Sequence, residues 1–163
     1  MHSMLQKNKT PNPRHHLSVA SQLMEISPLM IRILRTHLHK AALGVLTHSQ
    51  YRILANIFRG LDTVTQIALH HGVSQPTMTK TVNLMVEKKW LEKRAGSTDA
   101  RQMHLKMTAL GLKTFLNVKK QAQNSISQQL SVLSSQDLSV LNKSITQLLP
   151  LMHQLDGQKE KLK

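Results

Sequence analysis

Between Ser74 and Asn83 the sequence places side chains that can hydrogen-bond a base edge or a phosphate at the spacing of an α-helix. Met78, Val82 and Met85 fall on one stripe of this segment, which leaves Gln75, Pro76, Thr79, Lys80 and Asn83 pointing the other way. That second face is polar and basic without being bulky. Major-groove readout uses such a face near a helix N-terminus, where backbone amides can also meet phosphate. A solvated side of an ordinary helix reads the same way, so the surrounding elements must decide. A second constellation lies in "KRAGSTDARQMHLKMT", where Asp99 stands between Arg94 and Arg101. One carboxylate among cations is conspicuous in a chain with 22 Lys and Arg against 8 Asp and Glu.

Other chemistries find less support. Ser49, His48 and Asp62 are the residue types of a hydrolytic triad, but no nucleophile elbow, phosphate loop or carboxylate pair accompanies them. The reading is therefore of a protein that is not an enzyme and has no catalytic residues. Ten His invite a metal hypothesis, densest in "THLHK" and in the pairs at 15–16 and 70–71. His37 and His39 would lie about 200° apart on a helix, whereas metal ligands must converge from one face. No metal site and no cofactor is assigned, and His70 and His71 have a simpler role as positive charges at a helix C-terminus. The nine Met sit mostly on apolar stripes and serve as core filler. Without cysteine, disulfides and thiolate zinc sites are excluded.

A formal charge of +14 directs attention to polyanions, nucleic acid first. Aromatics make up only 2%, too few for a platform that stacks single-stranded bases, so duplex phosphate is the better partner. Uninterrupted apolar runs such as "PLMI" and "AALGVL" are far shorter than the roughly 18 to 20 residues of a membrane span. Lys7, Lys9 and Arg14 are not followed by an apolar signal core. The expectation is a cytoplasmic protein with no membrane association.

The elements that would position these residues can be read in turn. Residues 1–16, with Pro11 and Pro13, are expected to be a loose tail. Over 17–46, Leu23, Ile26, Met30, Ile33, Leu34 and Leu38 recur at helical steps, with Ser27-Pro28 marking either a kink or a break between two helices. Gly44 closes this segment. Thr47 with Gln50, then Thr63 with Gln66, form two capping boxes that open short helices, the first burying Tyr51, Leu54 and Phe58. Gly72 stops the second short helix and Ser74 caps the next, a helix-turn-helix. Beyond Trp90 the period changes to two: "LEKRA" and "RQMHLKM" read as strands, with "GSTD" between them and Met103, Leu105 and Met107 facing inward. A helix-turn-helix followed by a β-hairpin is a winged helix, here spanning 47–108, with Arg94, Gly96, Ser97, Asp99 and Arg101 at the wing tip. Lys88, Lys89 and Lys93 nearby are either phosphate contacts or solvated charges.

From "TALG" onward, over 109–157, the pattern is helical again. Leu112, Phe115, Leu116, Ala122, Ile126, Leu130 and Leu133 form one stripe, and Leu138, Leu141, Ile145, Leu148, Leu149 and Leu155 a second that is bent or ended near Pro150. Residues 158–163 are expected to fray. The fold class is thus mainly α with a small β-hairpin wing: a winged helix-turn-helix with N- and C-terminal dimerisation helices. The terminal helices carry more apolar surface than the central lobe can cover, which calls for a second copy of the chain in a symmetric dimer, or for packing of the two terminal segments on each other.

These motifs resemble those of the multiple antibiotic resistance regulator (MarR) family of bacterial transcription factors. "LTHSQYRIL" is similar to the family's Leu-Thr-x-x-Gln helix start, "IALHHGVSQPTMTKTVNLMVEKKWLEKR" to its reading unit, and "DARQMHLKMTALG" to its Asp-x-Arg wing with a hydrophobic-Thr-x-x-Gly helix start. Two departures stand out: Ala100 replaces a common Arg, and "AGST" replaces a Pro- and Asp-rich tip. The resemblance implies a homodimer on an inverted repeat in double-stranded DNA, usually a repressor, and a small-molecule effector, often phenolic, that releases it. Carried over by position, Ser74, Gln75, Thr77, Thr79 and Lys80 would contact the major groove and backbone, and Arg94 and Arg101 would serve the wing. The alternative from another class is a basic architectural protein that coats DNA without reading sequence; a third is a winged helix used only for protein contacts. Asp99 is read as fixing the wing through hydrogen bonds to the loop or to its neighbouring arginines.

Overall fold

The computed structural model describes residues 13–95 and 103–157. The element order is α1 (Pro13–Ala41), α2 (His48–Phe58), α3 (Val64–His71), α4 (Gln75–Glu87), β1 (Leu91–Ala95), β2 (Met103–Met107), α5 (Ala109–Leu130) and α6 (Ser135–Gly157). This is a mostly helical chain with one two-stranded antiparallel sheet, the expected class. It divides into two compact units, one ending at Ala122 and the other beginning at Gln123.

Within the first unit, local signals act where the sequence places them. Thr47 and Thr63 each accept from the backbone N–H three residues on, while Gln50 and Gln66 accept from the cap N–H groups, so both capping boxes are complete. Gly72 adopts the left-handed conformation, φ 66°, that ends α3 and turns the chain into α4. Ser74 caps α4 by accepting from the Thr77 N–H. Pro76 lies in the first turn, where no intrahelical donor is lost.

The core is built from Ile53 and Leu54 of α2, Ile67 of α3, Met78, Val82 and Met85 of α4, Trp90, Leu91, Leu105, and Phe115 and Val118 of α5. Ala42 and Leu46, just beyond α1, close it from the N-terminal side. The expected inward set on α2 is corrected here. Leu54 is buried and Tyr51 is half-buried, but Phe58 is 51% exposed and lies against Phe115 at 5.3 Å between ring centroids. Ile53 and Asn56 take the buried positions instead.

The hairpin pairs Leu91 with Met107, Lys93 with Leu105 and Ala95 with Met103. Of the three residues expected inside, Leu105 is buried, Met107 half-buried and Met103 exposed. Sequence alone did not reveal what anchors the hairpin: Thr63 bridges to His104, the Leu105 N–H donates to the Asp62 carbonyl at 2.6 Å, and the Asp62 carboxylate lies 2.9 Å from His104 Nδ1. Asp62 thus serves the wing base. Gly111 lets α5 pass against the chain after α4, since a Cβ there would fall 2.0 Å from the Trp90 carbonyl oxygen. Thr108 caps this helix, accepting from the Gly111 N–H and donating to the Lys89 carbonyl.

Three expectations about the N-terminal segment change. Helix begins at Pro13, inside the predicted tail, and runs unbroken through Pro28 as one helix. The Ser27 hydroxyl donates to the Leu23 carbonyl one turn back, next to the backbone bond that Pro28 cannot make. By length, and by the mean hydropathy of 1.3 over an 18-residue window within it, Arg14–Ala41 is also long and apolar enough to cross a membrane, which counting uninterrupted apolar runs overlooked. Glu25, Arg32 and Arg35 lie within it, and each charge near a bilayer centre costs about 3 kcal/mol. In the second unit, Ser134 caps α6 through the Asp137 N–H, and α6 continues through Pro150 rather than ending there. Residues 1–12, the tip at 96–102, which includes Gly96, Ser97, Asp99 and Arg101, and the tail at 158–163 lie outside the described residues.

Candidate nucleic-acid interface

The packing of α4 sorts its side chains as the periodicity predicts. Met78, Val82 and Met85 are buried against α3 and the hairpin, so the opposite face must be solvent-exposed. On that face Gln75, Pro76, Thr79, Lys80 and Asn83 line one shallow recess of about 520 Å³. The structure brings together all of the residues expected there. Ser74 and Thr77 are exposed at the helix start, their hydroxyls 2.8 Å apart. Thr79 is half-buried and donates its hydroxyl proton to the Gln75 carbonyl at 2.9 Å, so what it offers outward is acceptance.

The wing strand is tied to this helix. Lys93 Nζ donates to Asn83 Oδ1 at 2.7 Å, a contact that spacing in the sequence did not reveal. Arg94 lies on the wing strand β1 and forms an exposed ion pair with Glu92 at 2.7 Å. Such exposed pairs are worth at most about 1 kcal/mol and exchange readily for a phosphate. Asp99 and Arg101 lie outside the described residues. Of the lysines considered for phosphate, Lys88 lies 4.8 Å over the Trp90 ring, and Lys89 occupies the left-handed region at φ 58°.

The two histidines at the end of α3 need a correction. Burial, then the charge of Arg52 and the neighbouring His70 and His48, lower the pKa of His71 to about 4, so it is neutral at pH 7 and supplies no charge to the helix terminus. The His48 pKa is lowered too, by burial and then by Arg35 and Arg52. Among the described residues no three metal-binding side chains converge.

The exposed polar helix, the hairpin packed beside it and the capped turn between α3 and α4 define a winged helix-turn-helix fold. Residues 46–102 match the model of the MarR family. No curated protein matches the chain in sequence. Solved structures of similar fold include the transcriptional regulator Tm0710 from Thermotoga maritima, at TM-score 0.68 and 19% identity, covering 82% of this chain and 96% of that one. MarR from E. coli in its apo form is similar at TM-score 0.64 and 19% identity, covering 80% and 96%. A MarR family protein from Bacillus stearothermophilus reaches TM-score 0.71 at 14% identity, covering 83% and 96%. The family match is thus confined to residues 46–102, and the similar solved structures, which include MarR-family transcriptional regulators, share the winged-helix fold of this chain.

Proposed function

We propose that this protein is a sequence-specific repressor in the cytoplasm that binds double-stranded DNA as a homodimer on an inverted repeat. The observation that carries this reading is the row Gln75, Pro76, Thr79, Lys80 and Asn83 lining one recess on the exposed side of α4. In this role Ser74 and Thr77 meet the DNA backbone at the helix N-terminus, and Arg94 and Arg101 serve the wing, with Asp99 fixing its tip. MarR family regulators typically act as dimers. The exposed apolar residues of α1, among them Ile26, Met30, Ile33 and Leu34, and of α6, among them Leu141, Ile145 and Leu149, supply the surface a second copy would bury.

Release by a small molecule completes the reading. A recess of about 400 Å³ opens where α1 meets α2, lined by Ala42, Leu43, Val45 and Leu46 together with His39 and Lys88. Apolar walls beside a cation suit a small aromatic anion. The test is to select bound duplexes from a random pool, measure the mass of the protein and its complex by sedimentation, and titrate the selected duplex against a scrambled one across salt. A dimer with a selected palindrome bound at least about a thousandfold more tightly supports the proposal. Equal affinities at every salt concentration would favour an architectural protein driven by the +14 charge, and failure to bind any duplex at low salt would favour protein contacts alone.

A further inference from the structure

We infer that Lys93 turns Asn83 into a one-sided hydrogen-bond donor on the reading face, so that the base beneath Asn83 is selected as guanine rather than adenine. The inference rests on the reading of α4 as the major-groove element. An amide side chain has a donor end and an acceptor end, and its role at a base edge depends on which end is free. Lys93 Nζ lies 2.7 Å from Asn83 Oδ1. An ammonium only donates, so the oxygen must face Lys93 and the NH2 group must face away. Both residues are exposed, and Asn83 lines the recess with Gln75, Pro76, Thr79 and Lys80.

Recognition of adenine by asparagine uses both ends of the amide: the oxygen accepts from N6 while the NH2 donates to N7. Here the oxygen is already engaged, and the ammonium beside it opposes the approach of a further N–H. Guanine presents O6 and N7 side by side, both acceptors, which match an NH2 group with its two protons. Cytosine offers only a donor, and adenine pairs its one acceptor with a donor, so both are disfavoured. Lys93 comes from β1 and Asn83 from α4, so the contact also couples the wing strand to the base that the helix reads. Lys93 is a positioning residue, and Asn83 is the one that touches the base.

The experiment selects duplexes from a random pool with the full chain and with Asn83→Ala, Lys93→Met and Lys93→Gln, whose thermal melts are compared with the unsubstituted protein. The expected wild-type motif contains a position where guanine is preferred over adenine by about tenfold. Asn83→Ala should flatten that position alone. Lys93→Met should admit adenine there, narrowing the preference to about twofold or less as the amide oxygen is freed, while Lys93→Gln, whose amide N–H can still donate to Asn83, should keep part of the preference. The inference is overturned if both Lys93 variants keep every base preference and lose affinity uniformly, with the salt slope reduced by about one, as a phosphate contact would. It is also overturned if Asn83→Ala alters no position of an otherwise clear motif. A wild-type pool that enriches no motif overturns the sequence-specific reading itself, and so distinguishes that failure from this one.

Discussion

Replacing Gly111 with Ala probes the joint between the reading lobe and α5. A Cβ at this position would lie 2.0 Å from the Trp90 carbonyl oxygen and 2.9 Å from its carbonyl carbon, so helix and strand entry must separate by roughly 1 Å. Overpacking of this kind costs about 1 to 3 kcal/mol. Separation also stretches the Thr108 N–H bond to the Trp90 carbonyl, 3.1 Å, and the Thr108 hydroxyl bond to the Lys89 carbonyl, 2.6 Å, each worth about 1 kcal/mol. The gain in helix propensity offsets at most about 1 kcal/mol, and less in the first turn. The expected net loss is about 3 kcal/mol, or a fall in Tm of about 6 to 12 °C for a chain of this size. Thermal unfolding followed by circular dichroism, with urea unfolding as a second measure, reads this directly. An unchanged or raised Tm would show that Gly111 is an ordinary helical glycine and that the close approach to Trp90 is not a constraint.

Lys89 sits at φ 58°, a region costly for a residue with a Cβ, so Lys89→Gly should raise stability by about 0.5 to 1 kcal/mol and Tm by a few degrees; an unchanged melt would mean that the turn imposes no strain. His71 has its folded-state pKa lowered to about 4, so the unfolded chain takes up a proton first and stability should fall as pH drops from about 6.5 toward 4. His71→Gln should lose part of that acid sensitivity in urea midpoints measured across this window, and an identical pH profile would count against the assignment. On the wing, Arg101→Ala should weaken operator binding while leaving the dimer intact. Asp99→Ala should weaken it as well, although removing an acid favours general attraction to DNA; tighter specific binding would contradict the fixing role given to Asp99.

How much of this was legible in the sequence follows from how local each signal is. The two capping boxes, Gly72 and the Ser74 cap depend on residues within one turn of each other, and they appear in the structure as the spacing predicts. The buried stripe of α4, and with it the row of exposed candidates, follows from periodicity alone because this helix packs on one side. Periodicity misplaced Phe58, since a short helix contacts its neighbours over a narrow arc and Ile53 and Asn56 fill it. Pro28 and Pro150 looked like interruptions, yet each helix continues through its proline. The anchoring of the hairpin by Asp62 and the clasp of Asn83 by Lys93 join residues 42 and 10 positions apart, and no local pattern marks such pairs. The mean hydropathy of an 18-residue window, by contrast, would have flagged the helix Arg14–Ala41 where a count of unbroken apolar runs did not.

That the exposed face of α4 reads sequence is tested most directly by the ratio of affinities for a selected operator and a scrambled duplex, measured at one salt concentration. The comparison is between the unsubstituted chain and a Gln75→Ala, Thr79→Ala, Asn83→Ala triple variant, which removes base-edge partners but keeps Lys80 and the overall charge. The ratio should collapse toward one in the variant, with affinity for scrambled duplex changed by less than about threefold. A variant that keeps the full ratio would show that specificity comes from elsewhere on the protein.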